Sequence, residues 1–175
     1  MRKGSSPGLG GAAHILGGCR FAGQPGQWGG YGAGPRSPPS GSFISMRPRY
    51  RDLFQALLDP DPSRSDAAYD AVLFDRGDAL DDLVELYGES TGEPTLRYYA
   101  VQLMGFSDTK DAVPHVENAL EDADPTVRAE ACRALEDLRA RRSVPKLKAR
   151  IDDEDVRVRR AAREAVRMLG GRRRK

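Results

Sequence analysis

The side chains able to do covalent or metal chemistry in this sequence are few and scattered. Its two cysteines are Cys19 and Cys132, its two histidines His14 and His115, and each pair spans regions of very different composition. A closed zinc site needs four thiolate or imidazole ligands at close spacing, and a disulfide framework needs several cysteines. Neither can be assembled here. His115-Val116-Glu117 is the nearest approach to a ligand pair and occurs once, whereas a two-metal centre needs several convergent imidazoles and carboxylates. Gly29-Gly30-Tyr31-Gly32 lacks the Gly-Lys-Ser/Thr ending, the preceding strand and the following helix of a phosphate loop. Asp75 with Asp78, and Asp81 with Asp82, read as solvated carboxylates on an exposed helix face. Cys132 lies between Ala131 and Arg133 beside an apolar stripe. It reads as a small, half-buried packing residue; Arg133 would lower the thiol pKa, but no histidine is placed to act as base. No catalytic residue, metal ligand or cofactor is expected, and the chain is not expected to be an enzyme.

Charge is better organised than chemistry. Residues 46–109 hold 6 basic and 13 acidic side chains, net −7, whereas residues 110–175 hold 18 and 13, net +5. Arg139, Arg141 and Arg142 fall in a turn, Lys146, Lys148 and Arg150 on the helix after it, and Arg172-Arg173-Arg174-Lys175 at the end. Such a strip suits an acidic protein surface or a phosphate backbone. Against nucleic acid, Asp152-Asp153-Glu154-Asp155 interrupts the basic half, which also lacks aromatics for base stacking. Tyr98 and Tyr99 sit at the acidic-to-basic transition, and one of them is expected in the core. The layout also reads as a solvated, mixed-charge surface with no binding role; where it binds, a protein partner is expected ahead of nucleic acid. No apolar run approaches the roughly 18 to 20 residues that span a bilayer, so no membrane helix is expected and a cytoplasmic location is.

What positions these residues is an internal repeat. Glu93-Pro94-Thr95-Leu96-Arg97 aligns with Asp124-Pro125-Thr126-Val127-Arg128, and again with Asp155-Val156-Arg157-Val158-Arg159, each time 31 residues on. Ala100, Ala131 and Ala162 keep that register, as do Val113-Pro114-His115-Val116 with Val144-Pro145-Lys146-Leu147, and Asp122 with Asp153. A weaker unit begins at Asp61-Pro62, at an offset nearer 32, and Leu53, Phe54, Leu57 and Leu58 form a lone stripe before it. The order is half a unit, three units and a final half unit ending at Leu169. Each full unit reads as two helices. Val127, Ala131, Ala134, Leu135 and Leu138 mark one face of a 3.6-residue helix, with Asp124 as N-cap and Pro125 in the first turn. The second helix starts at Val144-Pro145 and carries Val144, Leu147 and Ile151. No alternating strand pattern of useful length appears.

The pattern D-P-x-V-R-x-x-A-x-x-A-L, a turn, then A/S-V-P-x-L-x-x-x-L-x-D resembles the short HEAT repeats also called phycobilisome-lyase HEAT-like repeats. The resemblance covers about Arg51 to Leu169 and is strongest from Glu93 to Asp153. It implies an all-α fold, a short right-handed α-solenoid of stacked antiparallel helix pairs with the second helices on the concave side. It also implies a structural ladder in which Arg97, Arg128 and Arg159 meet aspartates of adjacent units, with Asp122 and Asp153 in the acidic position; an arginine in a packed interface needs such a partner. In the first unit Ser65 stands where the arginine would be, so packing there is expected to be looser. At fold level the sequence also resembles the deoxyhypusine hydroxylases, whose repeats carry iron-binding His-Glu pairs; no His-Glu dipeptide occurs here.

Residues 1–45 differ from the rest. They hold 13 of the 19 glycines, 5 of the 12 prolines, the single Trp28 and no acidic residue. Such a composition predicts a disordered Gly/Pro-rich tail. A targeting segment, a flexible interaction tail, and a translation start at Met46 that omits the tail all remain open. The expected organisation is a tail over 1–45, a HEAT-like repeat domain over 46–170 and a basic tail over 171–175. The expected function is a non-catalytic interaction or assembly scaffold, with His115, Glu117, Asn118, Lys146, Lys148 and Arg150 as the partner-binding face. The alternatives are an accessory subunit or lyase-like protein of the phycobilin lyase type, or a weak nucleic-acid binder through the basic half. An exposed apolar edge at the first stripe, Phe54 included, would favour self-association.

Overall fold

Prolines and aspartates set where the helices begin. Pro94 and Pro125 occupy the first turns of α4 (Pro94–Gly105) and α6 (Pro125–Asp137), where a missing N–H leaves no bond unmade. The Asp124 carboxylate accepts from the Thr126 N–H at 2.7 Å, and Asp155 does the same for the Arg157 N–H at 2.7 Å at the start of α8 (Val156–Gly170). The computed structural model describes residues 46–171. The expected tail over 1–45 and the basic run Arg172–Lys175 lie outside the described residues.

The remaining helices are α1 (Pro48–Ala56), α2 (Pro62–Asp75), α3 (Leu80–Glu89), α5 (Ala112–Ala119) and α7 (Val144–Ala149). Two 3₁₀ turns, Arg76–Ala79 and Arg141–Ser143, lead into α3 and α7. No strand occurs among the described residues. The architecture is an all-α solenoid: α1 is a half unit, α2–α3, α4–α5 and α6–α7 are helix pairs, and α8 is a final half unit. The first helices stack α4 on α6 on α8, and each second helix packs on the first helix of the next pair, α3 on α4, α5 on α6 and α7 on α8.

A continuous core runs along that stack. Leu83, Leu86, Val101, Met104, Val116, Leu120, Val127, Leu135, Leu147 and Val158 are fully buried. The stripe over α6 is buried as its spacing requires, with Leu138 half-buried at its end. Small residues let helix axes approach: a Cβ built on Gly105 of α4 would stand 2.8 Å from the Ala134 Cβ of α6. Cys132 is fully buried rather than half-buried, because α6 is covered by α4, α5 and α8 together.

The N-terminal half unit differs from its sequence reading. Phe54 is buried at 2% exposure with Tyr50 and Leu57, so the apolar edge expected there is covered. Its anchor is ionic. Asp82, expected on a solvated face, is 3% exposed and accepts from the Arg47 N–H and from Arg47 Nε, both at 2.8 Å. Asp75 takes the Tyr50 hydroxyl at 2.8 Å and the Arg49 guanidinium at 2.8 Å. Tyr98 and Tyr99 are both half-buried, ring to ring at 5.7 Å, and Tyr99 meets Tyr69 of α2 edge-on at 5.9 Å.

Candidate interaction surface

The repeated arginines tie the loops between units into one line. Arg97 donates from Nη1 to the carbonyls of Ser90 and Thr91 at 2.8 and 2.7 Å, in the loop before its own helix. Its Nε and Nη2 grip both oxygens of Asp122, in the loop before the next unit, at 2.9 and 3.0 Å. Arg128 repeats the arrangement one unit on. Its Nη1 meets the carbonyls of Asp122 and Ala123 at 2.9 and 3.1 Å, and Nε and Nη2 grip Asp153 at 3.1 and 2.9 Å. Arg159 makes the first half of the pattern, with Nη1 on the carbonyls of Asp153 and Glu154 at 2.8 and 2.9 Å. Among the described residues no carboxylate meets its Nε or Nη2.

Each aspartate does a second job. Asp122 also accepts from the Asp124 N–H and the Tyr87 hydroxyl, both at 2.8 Å, and Asp153 from the Asp155 N–H at 3.0 Å. Burial pushes both carboxyls up. The hydrogen bonds outweigh it, chiefly those from Arg97 to Asp122 and from Arg128 to Asp153, and hold both below the ordinary carboxylate range. In the first unit Ser65 hydroxyl reaches the Leu57 carbonyl at 3.0 Å, keeping the tie to its own preceding loop while lacking the length to reach the next.

Of the residues expected to form a partner-binding face, the structure brings one pair together across units. Lys146 of α7 pairs with Glu117 of α5 at 2.7 Å, and the buried Ser143 hydroxyl donates to the same carboxylate at 2.6 Å. Partial burial raises the Glu117 pKa, but these two donors together hold it below its usual value. Arg150 pairs with Glu121, just past α5, and lies 3.7 Å from Asp153. Glu121 was not among the residues singled out from the sequence; it and Tyr87 lie 29 and 35 residues from their partners, where only the stacked fold brings them close. Asn118 and Lys148 are exposed and His115 is half-exposed. The face is therefore mixed in charge: the expected basic strip is partly neutralised by glutamates from the unit before it.

Cys132 has no such surface access. Burial pushes its thiol up to about 12, against a small opposing pull from Arg133. Among the described residues no group of three or more His, Cys, Asp or Glu side chains could hold a metal ion, and no helix is long and apolar enough to cross a membrane.

Stacked helix pairs clamped by a repeating arginine–aspartate ladder define a helical-repeat protein. The family model for HEAT repeats matches residues 80–167, and the chain belongs to that family. Among curated proteins, none is similar enough in sequence to count as a match. Among solved structures, human deoxyhypusine hydroxylase in complex with glycerol is similar at 25% identity and a TM-score of 0.55, over 81% of this chain and 50% of that one. The chain thus spans half the length of that hydroxylase. The complex of CpcE and CpcF of phycocyanin lyase, from a Nostoc species, matches at 18% identity and a TM-score of 0.40, over 77% of this chain and 70% of that one.

Proposed function

We propose that this chain is a non-catalytic protein-interaction scaffold, and that the α5–α7 face is its docking surface. The observation that carries this reading is the cross-unit pairing of Lys146 with Glu117 and of Arg150 with Glu121. These pairs tie α5 to α7, so that the backbone carrying His115, Asn118 and Lys148 needs no ordering on binding, which favours affinity. The same pairs favour a protein over a nucleic acid. A phosphate backbone would have to displace two glutamates to reach those cations, whereas a mixed-charge protein surface can pair with both signs.

The likeness to deoxyhypusine hydroxylase supports a shared repeat architecture, and function does not travel with a fold alone. The hydroxylase's chemistry is not carried over, since the sequence has two histidines and His115 belongs to no cluster of metal-binding side chains among the described residues. A cytoplasmic location belongs to the same reading, supported by Cys132 lying in the core as a free thiol. The test is site-specific photo-cross-linking in the full chain. A benzophenone amino acid at Asn118 and, separately, at Lys148 should capture the same protein in cells, while one at the exposed Asp70 of α2 should not. Capture at Asp70 alone, or none at either α5 or α7, would overturn the assignment of this face.

A further inference from the structure

The ladder has two complete rungs and one half rung. Arg97 and Arg128 are each fixed by two loop carbonyls through Nη1 and present Nε and Nη2 as a fork to an aspartate. The Arg159 guanidinium is anchored by the same two contacts, at 2.8 and 2.9 Å, so its fork is held in the equivalent orientation. Yet among the described residues it grips no carboxylate. This is a pre-oriented, half-exposed donor pair whose geometry is already used twice in the molecule to bind a carboxylate.

The helix around it has been altered in a consistent way. At the 31-residue offset, Ala129 and Cys132 of α6, both buried, correspond to Arg160 and Arg163 of α8, both exposed. Glu136 likewise corresponds to Arg167. A further helix stacked on α8 as α8 stacks on α6 would bury these arginines, so the face is unsuited to another repeat. It forms instead a shallow groove lined by Val156, Arg159, Arg160, Arg163, Glu164 and Arg167. Glu164 is taken up by Arg167, and Arg163 lends one weak bond, 3.4 Å, to the Ile151 carbonyl. The remaining cationic capacity of Arg159, Arg160 and Arg163 points to an anionic ligand, and the exposed Val156 beside them offers an apolar contact.

We propose that the outward face of α8 binds an acidic peptide segment of a partner protein, one of whose carboxylates seats in the Arg159 fork as Asp122 and Asp153 seat in the forks of Arg97 and Arg128. The surface is separate from the α5–α7 face and stands whether or not that face docks a protein.

The test uses the full chain and a fluorescein-labelled deca-aspartate peptide, followed by fluorescence anisotropy at two salt concentrations. Binding that weakens with salt is expected, and Arg159→Gln and Arg163→Gln should each weaken it about tenfold or more, as losses of charge-assisted bonds do. Arg159→Lys keeps the charge but loses the fork, so it should resemble Arg159→Gln; full retention by the lysine variant would reduce the site to a diffuse basic patch and overturn the proposal. Arg64→Gln, at the other end of the stack, should leave binding unchanged. Because Arg159 also ties two loop carbonyls, circular dichroism melts accompany each variant, and the exposed Arg163→Gln keeps the result interpretable if Arg159→Gln unfolds. A labelled single-stranded oligonucleotide bound more tightly than the peptide, with the same Arg159 dependence, would replace carboxylate by phosphate. A concentration-dependent dimer abolished by Arg159→Gln would instead make the occupant a second copy of this chain. Either outcome contradicts the acidic-partner assignment.

Discussion

Replacing Asp122 by alanine should be among the most damaging single changes in this chain. Its carboxylate joins the Arg97 fork, the Tyr87 hydroxyl and the Asp124 N–H, and so ties α3, α4 and the loop before α6 at one point. The Arg97 and Asp122 side chains are 9% and 5% exposed, so neither can recover by turning to solvent. Removing one member of such a buried pair leaves an unmatched charge, which costs about 3–5 kcal/mol. Part of that is recovered because Arg97 keeps the carbonyls of Ser90 and Thr91 on Nη1. A loss of about 3 kcal/mol is therefore expected, read as a lower urea midpoint in far-ultraviolet circular dichroism and a fall of roughly 10 °C in Tm. The double-mutant cycle with Arg97→Ala should show a coupling of about 2 kcal/mol. A loss under about 1 kcal/mol for Asp122→Ala, with coupling near zero, would refute the view that the ladder clamps the stack.

Other predictions test the remaining parts. Asp122 and Asp153 titrate below the ordinary aspartate value of 3.8, and Asp155, gripped by the Arg157 side chain and its N–H, is lowered to about 2. Groups depressed in the folded state add stability that is complete above about pH 4 and disappears as pH falls from there toward 2, whereas Asp137, raised to about 6 by burial, adds stability as pH falls through that value. The difference in urea midpoint between the parent chain and Asp122→Asn, which cancels the Asp137 contribution, should therefore be constant at pH 7 and 5 and shrink at pH 4 and 3. Gly105→Ala should cost about 1–3 kcal/mol, since its new Cβ would sit 2.8 and 2.9 Å from Ala134 Cβ and Cα, whereas Gly88→Ala, with nothing within 4 Å, should be neutral or gain up to about 1 kcal/mol. Thermal melts of the pair check both signs. Cys132 should resist a thiol-directed disulfide reagent in the native protein and react once urea unfolds it, because burial holds its thiol up at about 12.

The period of 31 residues carries most of what was legible in advance. Helices α4 to α8 follow from spacing and from the Asp124 cap and Pro125 in the first turn, which the 31-residue register carries to Pro94 and Asp155, because these are local features. The α1 anchor was not legible. Arg47 and Asp82 are 35 residues apart in units that have drifted from the repeat, and an Asp81-Asp82 dipeptide on a helix does not say which residue turns inward. Asp82 is buried while Asp81 is exposed, a difference of one helical step. Of the residues read as a partner-binding face, Lys146 and Glu117 are brought together, and the cross-unit pairing that offsets the basic strip was not legible. Glu121 lay outside that set, and its pairing with Arg150 depends on how far one second helix is displaced from the next. Phe54 illustrates the converse error: a short terminal stripe looks uncovered, but Tyr50, Phe54 and Leu57 are buried together where α1 packs on α2.

The most direct test of the scaffold reading is affinity purification of the full chain at low and moderate salt, with mass spectrometry of the eluate and its absorbance at 260 nm. A stoichiometric protein that survives moderate salt, and is lost when Asn118 and Lys148 are both replaced by glutamate, is the predicted result. Nucleic acid that co-elutes at low salt and washes off steeply as salt rises, with no stoichiometric protein, would contradict it.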